Sequence, residues 1–304
     1  MKKAIINLLV ILVLVPAIYA QKNVMWEPVN IPKMNLFDGP GGDEMRPDLS
    51  KIEFIKEETK GYNKKYRIKD GAGKVWVAKL TRETQSETAA VRLLWGIGYK
   101  TEVNYLVPSI TIPGKGTFKN ARLEARPDNI ERLEEWKWKS NPFVGTRELQ
   151  GLKMMMVFMT NWDVLDLQNK VLDVGDENHY IVSDLGATFG RLGNNNLPLI
   201  YRLGRQIGSP KHYAKTKFIK RVESDGDVIL AYKGKNRNIF KGFTVQDARW
   251  LSRLMTQLSD KQIGDAFRAA NYSEADVASF TASVRRKINE LKDAAAAAND
   301  LAAK

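Results

Sequence analysis

Residues 159–190 read MTNWDVLDLQNKVLDVGDENHYIVSDLGATFG. Met159 closes an apolar helical pattern, and Asn161-Trp162-Asp163 enters a polar loop. A short strand, Tyr180-Ile181-Val182-Ser183, runs into Asp184-Leu185-Gly186. Asp163 and Asp184 therefore stand at the ends of elements, 21 residues apart. Metal-dependent phosphoryl transfer needs two such carboxylates. One orients the acceptor and takes its proton, and the other holds a metal ion against a nucleotide.

The preceding segment supports this reading. Thr146 is placed to cap a helix reaching Met159, whose apolar stripe is Leu149, Leu152, Met156 and Met159. The run Met154-Met155-Met156 reads as core, since no soft ligand accompanies it. Further upstream, Ile52–Glu57, Lys65–Lys69 and Lys74–Leu80 read as strands. Gly61-Tyr62-Asn63 and Asp70-Gly71-Ala72-Gly73 are the turns between them. Gly71-Ala72-Gly73-Lys74 is not a P-loop, because Val75 stands where Ser or Thr is required. Glu83–Gly98 reads as a helix, and two further strands, Tyr105–Ile112 and Ala121–Ala125, follow it.

On the strand Val75–Lys79, alternation puts Lys79 on one face with Val75 and Val77. On the helix, Glu87 shares the core-facing stripe with Ala90, Val91 and Leu94. A carboxylate left unpaired there costs several kcal/mol, so Glu87 should meet a cation. Lys79 is the nearest in sequence.

These residues resemble the motifs of the protein-kinase-like superfamily. Val77-Ala78-Lys79-Leu80 is similar to its strand lysine motif, Glu87 to the helix partner of that lysine, and Asp184-Leu185-Gly186 to its metal-binding Asp-Phe-Gly. Asn161-Trp162-Asp163 falls where the catalytic loop belongs. The order Lys, Glu, Asp, Asp-x-Gly holds from about Ile52 onward, over most of the chain. The pattern resembles atypical branches, such as lipid-kinase-like and secretory-pathway kinases, more than regulatory protein kinases. It is also similar to a group of exported bacterial proteins of unassigned function with the same arm, strand-Lys and Asp-Leu-Gly layout. The resemblance implies ATP with Mg²⁺ or Mn²⁺. Lys79 would hold phosphates, Glu87 would hold Lys79, Asp184 would bind the metal, and Asp163 would orient an acceptor hydroxyl. The first hairpin lacks a Gly-x-Gly-x-x-Gly loop, leaving Gly61 with Lys64 and Lys65 to touch phosphates and Gly186 to sit beside the cofactor. Gln168, or Asn169 one residue later, stands in for the expected metal-binding Asn.

Strands with one helix followed by mostly helices give an α+β, two-lobed plan. The expected parts are a signal peptide over 1–20, an extended arm over 21–50 anchored by Met25, Trp26, Leu36 and Phe37, an N-lobe over 51–140 and a C-lobe over 141–304. The lobe boundary falls near Lys139–Gly145. Lys2 and Lys3 before the apolar run Ala4–Ile18 mark the leader, and Ala20 its cleavage site. The expected location is therefore exported, periplasmic or secreted. With no cysteine among the 304 residues, disulfides, a lipoprotein anchor and thiol chemistry are excluded.

The C-terminal third carries three capping signatures, at Thr244–Asp247, Ser259–Gln262 and Ser273–Asp276. The last helix buries Val277, Phe280, Val284, Ile288 and Leu291, and Ala294–Ala298 reads as its frayed end. The formal charge of +13 is concentrated between Tyr201 and Gly242, where eleven Lys and Arg face three acids and a hairpin is expected at 223–227. Such a face suits an acidic or hydroxyl-bearing envelope substrate or peripheral contact with an anionic membrane, not nucleic acid. Its bland alternative is a solvated surface. His179 and His212 are too far apart for a zinc site or a Ser-His-Asp triad, and the acid pair Glu134-Glu135 has no order that suits a glycosidase. Two functions remain open for a monomer: a phosphotransferase acting on a protein, glycan or lipid headgroup, and a catalytically inactive kinase-like binding module.

Overall fold

The computed structural model describes residues 21–59, 64–192 and 205–302. The expected leader, the Gly61-Tyr62-Asn63 turn and Asn194-Asn195-Asn196 lie outside these residues.

The arm opens with β1 (Lys22–Val24), which leaves the arm's own lobe to pair elsewhere, and continues through two single-turn 3₁₀ helices. A first sheet follows from β2 (Glu53–Glu58), β3 (Lys65–Lys69), β4 (Val75–Lys79), then, after α1 (Thr84–Gly96), β5 (Asn104–Ile112) and β6 (Gly116–Ala125). All its pairings are antiparallel, in the order β2-β3-β4-β6-β5. Period-two alternation sorts its side chains. Tyr66, Ile68, Trp76, Ala78, Ala121 and Leu123 fill a small core, while Arg67, Val77, Lys79, Arg122 and Glu124 line the opposite, cleft face. The expected β3–β4 hairpin forms because Asp70, nearly buried, closes it from within. Its carboxylate accepts the Lys74 N–H at 2.8 Å and the Trp76 indole N–H at 2.9 Å. Gly73 takes φ +81°, a conformation that favours glycine.

The chain leaves the first sheet at Ala125 and joins a second at β7 (Glu131–Arg132). α2 (Arg147–Phe158), β8 (Asn169–Asp173) and β9 (Glu177–Val182) complete this part, in the order β1-β9-β8-β7 with β1 parallel to β9. Thr146 caps α2 as expected, its hydroxyl accepting the Leu149 N–H at 3.3 Å. The predicted stripe of α2 is buried, and so are Met154, Met155, Val157 and Phe158, because protein encloses the last turns of this helix, while Arg147 in its first turn is exposed.

After β10 (Arg191–Leu192) and β11 (Arg205–Gln206), which pair, come α3 (Pro210–Tyr213) and the hairpin of β12 (Ile219–Val222) with β13 (Val228–Leu230), where the turn signal placed it. α4 (Val245–Met255), α5 (Asp260–Arg268) and α6 (Glu274–Ala302) close the chain. Thr244 with Asp247 and Ser259 with Gln262 form reciprocal capping boxes. The Ser273 hydroxyl likewise accepts the Asp276 N–H at 3.2 Å.

Two expectations are corrected. The alanine run does not fray at Ala294. α6 continues to Ala302, and Ala294 and Ala295 are buried, because Cβ alone lets the helix lie close to its neighbours. Phe37 is not an arm anchor. It is 41% exposed under the Arg46 guanidinium, and Ile31 and Leu36 supply the buried contacts.

Met25 and Trp26 do anchor the arm. Met25 is buried, and Trp26 stands edge-on to Trp250 at 5.2 Å and donates to Ile97 O at 2.7 Å. Gly98, at φ +100°, lets the arm backbone approach, and its carbonyl accepts the Glu27 N–H. Further along, the Tyr105 hydroxyl donates to Gly42 O and the Gln262 amide to Ile31 O. The arm thus touches both halves of the molecule.

Candidate active site

The cleft between the two sheets has a volume of about 620 Å³ and is lined by Lys79, Glu87, Gln168, Asn169 and Asp184 among others. Lys79 ends β4 on the cleft face with its side chain 7% exposed. Its Nζ lies 2.8 Å from Glu87 Oε2, 3.3 Å from Asp184 Oδ1 and 3.6 Å from Glu83 Oε2. Burial works to lower the lysine's pKa, but Glu87 and Asp184 outweigh it and hold the ammonium well above its ordinary value. The pairing of Lys79 with Glu87, expected from alternation and stripe, is therefore formed.

Glu87 has a second cation behind it. Arg122 Nη1 lies 3.6 Å away, and its side chain is 1% exposed. Burial raises the Glu87 carboxyl's pKa against the pull of Arg122 and Lys79. Arg122 continues the network to Glu124 at 2.7 Å and Glu102 at 3.6 Å. Arg126 pairs with Glu124, and Arg132 with Glu102. Arg132 also donates to the Ser183 hydroxyl at 3.0 Å, and Ser183 is the residue before Asp184.

Asp184 is positioned from both sides. Leu185 is fully buried, the Gly186 N–H donates to Asp184 Oδ1 at 3.1 Å, and Ser86 of α1 donates to Gly186 O at 2.7 Å. A Cβ on Gly186 would come within 2.8 Å of Glu83 Cβ, so glycine allows this loop to lie against α1. The place of Gly186 is thus to set the loop against α1. Burial works to raise the Asp184 pKa, but Lys79 and the Gly186 N–H outweigh it and hold it below the carboxylate range. Its side chain remains 39% exposed, open to the cleft.

Asp163 follows α2 on a loop bonded to the loop of Asp184. Thr160 takes φ +56°, Phe189 N–H donates to Met159 O at 2.8 Å, and Asn161 Oδ1 accepts the Asp163 N–H at 2.9 Å. Gln168 joins the two aspartates. Its backbone carbonyl accepts from Ser183 N–H at 2.7 Å and Asp184 N–H at 3.2 Å, while its side-chain amide donates to Asp163 Oδ2 at 3.0 Å. Asp163 Oδ1 pairs with Lys235.

Asn169 is fully buried at the base of the cleft. Its Nδ2 donates to Trp136 O at 2.9 Å, and its Oδ1 has no hydrogen-bond partner. Across the β8–β9 ladder it pairs with Val182, two residues before Asp184. A hard cation takes oxygen ligands and tolerates one or two from protein when phosphates and water supply the rest. Among the described residues no cluster of three or more His, Cys, Asp or Glu is arranged to hold a metal. The open Asp184 carboxylate and the unpartnered Asn169 oxygen fit an ion shared with phosphates.

The structure does not bring Lys64 to this site. Its ammonium lies over the rings of Tyr66 and Phe118, 5.2 and 5.8 Å away, while Lys65, one residue on, lines the cleft. A one-residue step along a strand changes the face. Gly61 lies outside the described residues.

Sequence reading missed Lys235 and the network around Arg122. The network had a signal, since Arg122 and Glu124 alternate with Ala121, Leu123 and Ala125. Lys235, 72 residues from Asp163, had none.

No protein-family model and no curated protein matches the chain. Among solved structures, the crystal structure of the Helicobacter pylori proinflammatory kinase CtkA is similar, over 84% of this chain and 99% of that one. The TM-score is 0.51 and the identity 10%. The fold is kinase-like. At that identity the likeness concerns the fold alone. In its terms the first sheet and α1 form the β-rich lobe, the helices from α2 onward form the larger one, and the cleft just described lies between them.

Proposed function

We propose that the protein is a metal-dependent phosphotransferase that moves a terminal phosphoryl group from a nucleotide to a hydroxyl acceptor. The observation that carries this is the seat of Lys79 Nζ between buried Glu87 and cleft-facing Asp184, with Asp163 tied to the same loop through Gln168. Lys79 would hold donor phosphates, and Glu87 with Arg122 behind it keeps the ammonium from collapsing elsewhere. Asp184 and the Asn169 side-chain oxygen would hold Mg²⁺ or Mn²⁺. The ion, when bound, supplies positive charge against the donor phosphates.

Asp163 would accept the acceptor's hydroxyl proton as its oxygen bonds to phosphorus. The phosphoanhydride bond breaks, and the shortened donor leaves with the electron pair. Lys235 would sit beside that acceptor. Arg205 lies over the Trp162 ring at 4.1 Å, so the basic region adjoins Asp163 and would draw an acidic acceptor. An exported location would make that acceptor an envelope component.

Thermal unfolding with Mg²⁺ or Mn²⁺ and ATP, beside Asp184→Ala, tests the reading. Metal-dependent stabilisation in the wild type and none in the variant is the expected result, because ligand binding to the folded state shifts the midpoint by mass action. No shift with any nucleotide at millimolar concentration would sink the phosphotransferase and leave a kinase-like binding module.

A further inference from the structure

At the end of the cleft where the chain passes from β6 to β7, which we take as the place of a bound nucleotide's base, the backbone is already bonded. Ala125 N–H donates to Val103 O at 2.9 Å and Arg126 N–H to Val75 O at 2.8 Å. Pro127 has no N–H, and the Ala125 carbonyl accepts from Arg126 Nη1 at 2.9 Å. Asp128 and Asn129 lie in an exposed turn between β6 and β7, and Asn129 lines a separate cavity shared with Tyr99 and Glu102, not the cleft. The nearby side chains are likewise engaged with one another, Glu124 with Arg122 and Arg126, Arg132 with Glu102 and Ser183. Val77 and Leu167 are the apolar surface that remains, and Leu167 is 62% exposed.

The rest of the cleft has the opposite character. Eight cations and five carboxylates line it, and among the described residues Lys56 and Lys65 carry no ion pair. Lys56 lies on the edge strand β2 and Lys65 on its neighbour β3, and Arg67 of β3 and Lys170 of β8 also line the cleft. A purine edge presents fixed donors and acceptors that need partners. Phosphate oxygens are met by charge-assisted contacts from any direction.

We infer that the cleft selects its donor by a phosphoanhydride chain and not by a base, so that nucleoside triphosphates and inorganic polyphosphate compete for one site. This rests on the phosphotransferase reading and goes further, naming the feature of the donor that is read. A site built to bond a polar group rejects ligands lacking it by ~10⁴-fold, and among the described residues the Ala125 and Arg126 N–H groups that could meet a base are already taken.

Isothermal titration of the protein with Mg²⁺ and, in turn, ATP, GTP, CTP and tripolyphosphate tests it, with adenosine as a fifth ligand. Dissociation constants for the first four should agree within about threefold, and adenosine should neither bind nor compete. Lys65→Ala, with its melting curve checked, should weaken all four alike by about tenfold. A preference above about tenfold for one base, or binding of ATP but not of tripolyphosphate, overturns the inference and leaves the phosphotransferase standing. Displacement of ATP by adenosine does the same. Failure of all four phosphate ligands overturns both.

Discussion

Lys79 has three carboxylates within 3.6 Å, and what each contributes differs. Glu87 is the buried one, at 2% side-chain exposure, so it depends on its cations most. Lys79→Met keeps the stem's packing and leaves Glu87 with Arg122 alone. Breaking a buried pair from one side costs about 3 kcal/mol, and urea denaturation should show a loss of that order. Glu102 makes a different prediction. Burial first, then Glu124, pushes its carboxyl up from 4.5 to about 7, against Arg132 and Arg126. The folded chain therefore binds a proton that the unfolded chain releases between those values, and the contribution of Glu102 to stability falls as pH rises from about 4.5 to about 7. Glu102→Gln does not ionise. Its thermal midpoint relative to the wild type should rise from pH 5 to pH 8, and a pH-independent difference would show that Glu102 is ionised throughout. Neither residue was equally legible. The partnership of Lys79 follows from two local periodicities, whereas Glu102 lies just before β5 and acquires its neighbours from β6 and β7.

At the scale of elements, α2 and α6 meet through a lysine where an apolar residue is the rule. Lys287 is fully buried, donates to Phe158 O at 2.8 Å and lies 4.0 Å from the centre of the Tyr213 ring. The Tyr213 hydroxyl donates to the same carbonyl at 2.9 Å, so the C-terminal end of α2 keeps a partner without the lysine. Burial lowers the Lys287 pKa well below its ordinary 10.5. Where the unfolded chain holds that proton and the folded chain does not, stability is diminished, and it recovers as pH rises toward 10.5. Lys287→Met should raise stability at neutral pH by about 1 kcal/mol or more in chemical denaturation, and the gain should shrink toward pH 10. The stripe of α6 was read from its period, but that period also admits position 287, and nothing local says that a lysine there turns inward. The end of α6 was misread for a related reason. Alanines carry little apolar signal, and whether they are buried depends on what packs against them.

Across the whole molecule, the two lobes share one core. Ala89, Ala90, Val91, Leu93, Leu94 and Ile97 of α1 and its C-terminal turn belong to the same buried cluster as α2, α4, α5 and α6, and Met25, Ile31 and Leu36 of the arm join it. The separate cluster on the far face of the first sheet is small by comparison. The large core crosses the cleft, and β1 of the arm lies in the second sheet. Calorimetry should therefore show a single cooperative transition, with calorimetric and van't Hoff enthalpies equal. Two resolved transitions would show that the first sheet and α1 unfold apart from the rest.

Asp163, Asp184, Lys79 and Glu87 were each legible in the sequence, because an element's end, a strand's alternation and a helix's stripe are local properties carried by neighbouring residues. The order of those residues also carried the two-lobed plan, and cap spacing carried the starts of α4, α5 and α6. What the tertiary structure alone decided is what surrounds them. Lys65 and not Lys64 faces the cleft, because a single step along β3 reverses the side chain. Lys235 reaches Asp163 across 72 residues of chain, and Arg122 of β6, Arg132 of β7 and Glu102 from the loop before β5 converge behind Glu87. Such ion pairs depend on where separate elements dock, and docking is set by burial summed over a whole core, which no local period records.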